Sequence, residues 1–134
     1  MTSGSERTAR PTVGTYRGTM TTRITRVSTH VLDTTVGRPA AGVPARLEIL
    51  SAAGVSEAGG GITDDDGRVF QLNSTDLAAG RFRLTLDTAA YFERRHGAMF
   101  YPQISVSFAL SGDREHYHIA VLTSTYSYST YLGS

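Results

Sequence analysis

The chain has 134 residues, a net charge of +1 and no cysteine. That length fits one domain with a real core, and the near balance of charge gives no electrostatic case for nucleic acid or an anionic membrane. The missing cysteines exclude disulfides, thiolate metal sites and a cysteine nucleophile, and no apolar run approaches the roughly 20 residues of a membrane helix.

Residues 1–21 are rich in Ser, Thr, Arg and Gly and hold almost no large aliphatics. So little apolar surface cannot offset the entropy of ordering, so a disordered N-terminal extension is expected there and a folded domain over 22–134. Met20 begins the part that reads as folded and is a candidate alternative start. No hydrophobic stretch follows the first charges, which argues against a secretory signal. The Leu-Gly-Ser end is not a peroxisomal address, and a cytoplasmic location is the expectation.

Strand signals dominate the rest. Residues 24–31 form a β-branched run, and 37–42, with two Gly and a Pro, read as a loop. Over 43–50, Ala45, Leu47 and Ile49 fall on one face and Arg46 and Glu48 on the other, the pattern of a half-buried strand. Asp64, Asp65, Asp66 and Gly67 make a turn, and 69–72 a short strand. The triple aspartate lacks the later ligands and spacing of a calcium loop. Phe82, Leu84 and Leu86 alternate with Arg81, Arg83 and Thr85. Residues 88–95 are the one good helix candidate, with Asp87 or Thr88 as cap and Gly97 as stop. Strands at 101–110 and 116–123 flank a turn at 111–113, and 126–132 forms a last strand. Seven or eight short strands with one helix imply an all-β, two-sheet β-sandwich.

His116 and His118 lie two apart in a strand, so they share a face with Tyr117 opposite. Such a pair can ligate a metal, perform acid–base chemistry or sit at a solvated edge.

The segments Ser28-Thr29-His30-Val31-Leu32-Asp33-Thr34, Gly37-Arg38-Pro39-Ala40-Ala41-Gly42-Val43-Pro44, Asp66-Gly67-Arg68, Phe100-Tyr101-Pro102 and His116-Tyr117-His118 occur in order along the chain. Together they resemble the 5-hydroxyisourate hydrolases of the transthyretin-like family, from about residue 22 to the end. The resemblance implies an eight-stranded sandwich with a short helix after the fifth strand, and a homotetramer with active sites at the dimer–dimer interface. It implies His30, Arg68 and His118 as catalytic residues and a substrate-binding tail of Tyr131, Leu132, Gly133 and Ser134. It assigns no such role to His116, which is left as a solvated edge histidine.

The implied reaction is hydrolytic opening of a ring amide in a small, purine-derived heterocycle. Two imidazoles suit activation of water and protonation of the leaving nitrogen, and a guanidinium suits the substrate carbonyls and the charge that develops on oxygen. No metal or other cofactor is required.

Two departures stand out. The family tail reads Tyr-Arg-Gly-Ser, whereas Leu132 stands in place of the arginine here. Ala120 stands where the family has proline, and there and over 126–130 the chain also resembles transthyretin. If the tail arginine binds substrate, its loss costs roughly 1.5–3 kcal/mol, or one to two decades. Three readings follow: a 5-hydroxyisourate hydrolase, an enzyme re-tuned for another cyclic substrate, and a non-enzymatic small-molecule carrier. Tyr16-Arg17-Gly18-Thr19 echoes the family tail and is read as coincidence.

Overall fold

The computed structural model describes residues 23–134. The expected disordered extension, the Met20 start and the Tyr16 echo lie outside the described residues. Among the described residues, nine strands and one helix follow in the order β1 (Arg26–Asp33), β2 (Arg38–Pro39), β3 (Pro44–Ser51), β4 (Gly54–Ile62), β5 (Arg68–Val69), β6 (Gly80–Asp87), α1 (Ala89–His96), β7 (Gln103–Leu110), β8 (His116–Thr123) and β9 (Tyr128–Gly133).

They form the expected two-sheet sandwich. One sheet runs β2-β1-β8-β9, with β5 also on β1, and the other runs β4-β3-β6-β7. The two-residue segments β2 and β5 share one edge of β1, pairing Leu32 with Pro39 and Thr29 with Val69 respectively. All the pairings are antiparallel except β1 with β8. The alternating apolar residues of β3 and β6 meet in register, Leu47 opposite Leu84 and Ala45 opposite Leu86. Their inner faces pack on Val27, Val31 and Val121 of the other sheet to make the core.

The helix is placed as its boundary residues predict. Gly97 closes it at φ +67°, its N–H donating to the Glu93 carbonyl. Thr88 occupies the N-cap position, but its hydroxyl donates to the Tyr101 carbonyl at 2.7 Å instead of capping the first turn.

Strand β4 carries no alternating apolar signal and lies outside the expected strands; it includes the run Gly59-Gly60-Gly61. At Gly59 and Gly60 backbone from neighbouring segments comes too close for a side chain, and at Gly61 the Val69 side chain does. A Cβ on Gly59 (φ +150°) would sit 1.9 Å from the Leu72 carbonyl oxygen. The predicted strand at 69–72 is shorter than expected, because Asn73 takes over its pairing. The Asn73 side chain accepts from the Val27 amide at 2.8 Å and donates to the carbonyls of Thr25 and Thr75.

At the far end of β1, Asp33 is fully buried and ties the helix to the sheet. Its carboxylate accepts from Tyr91 at 2.7 Å, His96 at 2.6 Å and the Thr35 amide at 3.0 Å. Burial works against the Asp33 charge, but the bonds from His96, Tyr91 and Thr35 outweigh it and hold the carboxyl below its ordinary value. The same burial and the neighbouring carboxylate push the Tyr91 phenol up to about 12. Asp33→Asn should lower stability by about 2–4 kcal/mol, since donors built for a charge lose it. In urea titrations across pH, the depressed Asp33 value gives stability that is present above the unfolded carboxylate value and lost as pH falls through the folded one. The raised Tyr91 value gives a second loss as pH climbs above 10 toward 12. A flat profile in Asp33→Asn at the acid end would accompany the first effect.

Candidate active site

The parallel pairing of β1 with β8 sets Arg26 beside His116, Ser28 beside His118 and His30 beside Ala120. Paired residues point the same way, so these six share the outer face of the sheet while Val27, Val31, Tyr117 and Ile119 point into the core. Strand β5 then delivers Arg68 opposite His30. The turn before β5 is built by Asp64, whose carboxylate accepts from the amides of Asp66 and Arg68 at 2.9 Å each. Asp64, the first of the three aspartates, thus shapes the turn that aims Arg68.

A cavity of about 280 Å³ opens on this face. Arg68 and His118 line it, together with Arg26, Ser28, His116 and Ser134. His30 stands at its flank, its ring centroid 6.4 Å from that of His118 at an interplanar angle of 36°. The structure therefore brings together His30, Arg68 and His118, contributed by three strands. None of the lining side chains is acidic, and among the described residues no group of three or more His, Cys, Asp or Glu is placed to hold a metal ion.

Two residues not singled out for the site belong to it. His116, expected at a solvated edge, is part-buried and lines the cavity. Its Nδ1 lies 3.2 Å from an Arg26 guanidinium nitrogen, and its Nε2 lies 2.8 Å from the Ser28 hydroxyl. The same hydroxyl lies 2.8 Å from Nδ1 of His118. Ser28 thus bridges the two histidines. The H-x-H spacing was the available signal for His116. Ser28 had only its position two before His30, because the partner strand was not readable.

The tail divides by face. Gly133 pairs with His118, and a Cβ on it would fall 2.6 Å from the ring's Cδ2, so only glycine leaves that ring in position. Ser134 reaches the cavity. Tyr131 and Leu132, expected to bind substrate, line a different cavity of about 330 Å³ beside Val106, Phe108 and Ile119. For Leu132 the reason is register: it pairs with Ile119, which points inward, one residue out of phase with His118.

Burial lowers the His118 value below the ordinary imidazole range, and the positive charges of Arg68, His30, His116 and Arg26 lower it further. His116 is lowered by burial and then by Arg26 and Arg114. Both rings are therefore biased toward the neutral form.

The family model described as HIUase/Transthyretin family matches residues 27–133. A 5-hydroxyisourate hydrolase of Salmonella typhimurium is 42% identical over 109 residues, 81% of this chain and 80% of that enzyme. One from Mus musculus is 36% identical over 118 residues, 86% of this chain and all of that enzyme. Among solved structures, 5-hydroxyisourate hydrolase of Klebsiella pneumoniae superposes with a TM-score of 0.72 at 30% identity, covering 83% of this chain and 100% of that one. Sea bream transthyretin in complex with thyroxine gives 0.74 at 27% identity, covering 81% and 94%.

Removal of the Arg68 charge should raise the His118 titration midpoint, read from its ring carbon–proton signals by NMR, while Gly133→Ala should displace the same ring and shift those signals at constant pH.

Proposed function

The chain belongs to the HIUase/transthyretin family, and from that premise we propose that it is a hydrolase that opens the ring amide of 5-hydroxyisourate by attack of water on a ring carbonyl. The observation that carries this reading is the convergence of Arg68 and His118 on one cavity with His30 beside them. His30, Arg68 and His118 are the catalytic residues of the proposal. Arg68 meets the flat substrate with a planar fork of donors and stabilises the charge that forms on the carbonyl oxygen. Ser134 and Gly133 complete the site, the first as lining and the second by admitting the His118 ring. The chemistry so described needs no metal or other cofactor.

The re-tuned reading rested on a lost pocket charge. Leu132 lies outside the histidine cavity, which keeps two guanidinium groups, those of Arg26 and Arg68. That supports the hydrolase reading over the re-tuned one. The carrier reading has the thyroxine-bound neighbour in its favour, but a carrier of apolar ligands has no use for two arginines and two neutral imidazoles lining one cavity.

Members of this fold bind small ligands and are commonly tetrameric, and among the described residues no helix is long and apolar enough to cross a membrane. A cytoplasmic homotetramer with its sites at the dimer–dimer interface is part of the proposal. Exposed Phe100, Tyr126, Tyr128 and Tyr131 supply the apolar surface that such contacts would cover.

Freshly generated 5-hydroxyisourate should lose its ultraviolet absorbance faster with micromolar protein than without, and no acceleration would overturn the reading. Arg68→Ala should lower kcat/KM about 10²–10³-fold. Leu132→Arg should change turnover less than about threefold, well under the tenfold that 1.4 kcal/mol represents; a gain of ten or more would return residue 132 to the site.

A further inference from the structure

We propose that Ser28 and His116 are positioning residues that fix His118 as the neutral Nε2–H tautomer, so that His118 donates a hydrogen bond to the oxyanion while His30 alone moves the proton. The proposal rests on the hydrolase reading and divides the work of its two histidines.

The argument starts from a group that can only donate. Arg26 has five N–H donors and no acceptor. Its guanidinium nitrogen, 3.2 Å from Nδ1 of His116, obliges that nitrogen to present a lone pair. The single ring proton of neutral His116 is then on Nε2, which donates to the Ser28 oxygen at 2.8 Å. Ser28 has one hydroxyl hydrogen, and the acceptor that remains is Nδ1 of His118, also at 2.8 Å. Nδ1 of His118 is thereby a lone pair, and its ring proton is on Nε2, the nitrogen that Ser28 leaves for a ligand.

The opposite tautomer breaks this order. With a proton on Nδ1 of His118, the Ser28 oxygen would receive two N–H donors, and its own hydrogen would lose its acceptor in a site where Ser28 is 5% exposed. The polarity of the chain cannot reverse from its other end either. Arg26 is held in place by stacking on the Phe70 ring at 3.9 Å and by donation to the Phe70 carbonyl at 3.3 Å. One fixed cation therefore orients three hydrogen bonds in sequence. The result is a neutral imidazole used as an electrophile, a role in which the ring must not be a cation. Burial and the surrounding positive charges act in the same direction.

The step balances without any other reagent. His30 takes a proton from water through a ring lone pair as the water oxygen bonds to the carbonyl carbon. The carbonyl electron pair moves to oxygen, where Nε2–H of His118 and Arg68 stabilise it. On collapse the C=O bond re-forms and the C–N bond breaks. The nitrogen keeps the bonding pair and takes the proton from His30, which returns to its starting state.

Nitrogen-15 NMR of histidine-labelled full-length protein above pH 7.5 reads the tautomer directly. Expected are the Nε2–H pattern for His118 in the wild type and its loss in Ser28→Ala, with kcat down about tenfold and KM within about threefold. His118→Gln, whose amide can donate but cannot act as a base, should keep a tenth or more of kcat, whereas His118→Ala should lose about 100-fold and His30→Gln at least as much. An Nδ1–H pattern in the wild type overturns the proposal, as does a Ser28→Ala protein with unchanged spectrum and kcat, or equal loss in His118→Gln and His118→Ala. Should Ser28→Ala fail to fold, His116→Ala removes the same orientation from outside the β1 strand. Absence of turnover in the wild type would defeat the hydrolase reading, and the wild-type spectrum would still decide the tautomer.

Discussion

β1 and β8 lie parallel over eight residue pairs, from Arg26 opposite His116 to Asp33 opposite Thr123. Nearly every contact of the site derives from that register. A shift by one residue would turn Ser28 and His30 into the core and Val27 onto the solvent face. The register is held from several sides. The amides of Thr25 and Arg26 donate to the Glu115 carbonyl at the start, Thr29 donates its hydroxyl to the Ile119 carbonyl at 2.7 Å in the middle, and the Thr34 amide reaches the Thr123 carbonyl at the end. Beyond that end, Asp33 is clamped by Tyr91 and His96 from the helix. Each of these bonds spans tens of residues along the chain, so the pairing forms only once the sandwich closes. The site is therefore a product of the whole fold rather than of any one segment.

The charged side chains of the site have a single sign. Arg26 and Arg68 flank two imidazoles, and no acidic side chain lines the cavity. Such a field favours a substrate that gathers negative charge as it reacts, and it keeps the imidazoles neutral while doing so. A histidine in this setting is a poorer cation and a steadier hydrogen-bond donor than one in water. The asymmetry between His118, tied through Ser28 to His116, and His30, which stands at the flank, follows from which strand neighbour each one has.

Much of the fold was legible in the sequence. The alternation in β3 and β6, and the Thr88 and Gly97 boundaries of the helix, are local signals, and local signals survive into the structure. What could not be read is what depends on partners. β4 gave no signal because three consecutive glycines carry no alternation, and they face backbone from Leu72 and Ala45 and the Val69 side chain. His116 looked like a surface residue because Arg26 and Ser28, 90 and 88 positions away, cannot be aligned with it before the parallel register is known. Of the site, His30, Arg68 and His118 could be named from family resemblance, but the bond that orients His118 could not.

The tail makes the same point within four residues. Tyr131, Leu132, Gly133 and Ser134 read as a unit, yet a strand sends successive side chains to opposite faces. Gly133 belongs to His118, where the absence of a side chain is its contribution. Leu132 belongs to Ile119 and the cleft at the open edge between β7 and β9, beside Val106 and Phe108. A leucine is at ease there, since its neighbours are apolar and part of its surface leaves water. An arginine at the same position would have to carry its guanidinium outward along an apolar wall. Replacement of that arginine by leucine thus alters the edge of the sandwich and not the charge around the histidines, which Arg26 and Arg68 supply from β1 and β5. The departure that made the tail look most unlike its family falls on the face of the strand that lines the other cavity, away from His116 and His118.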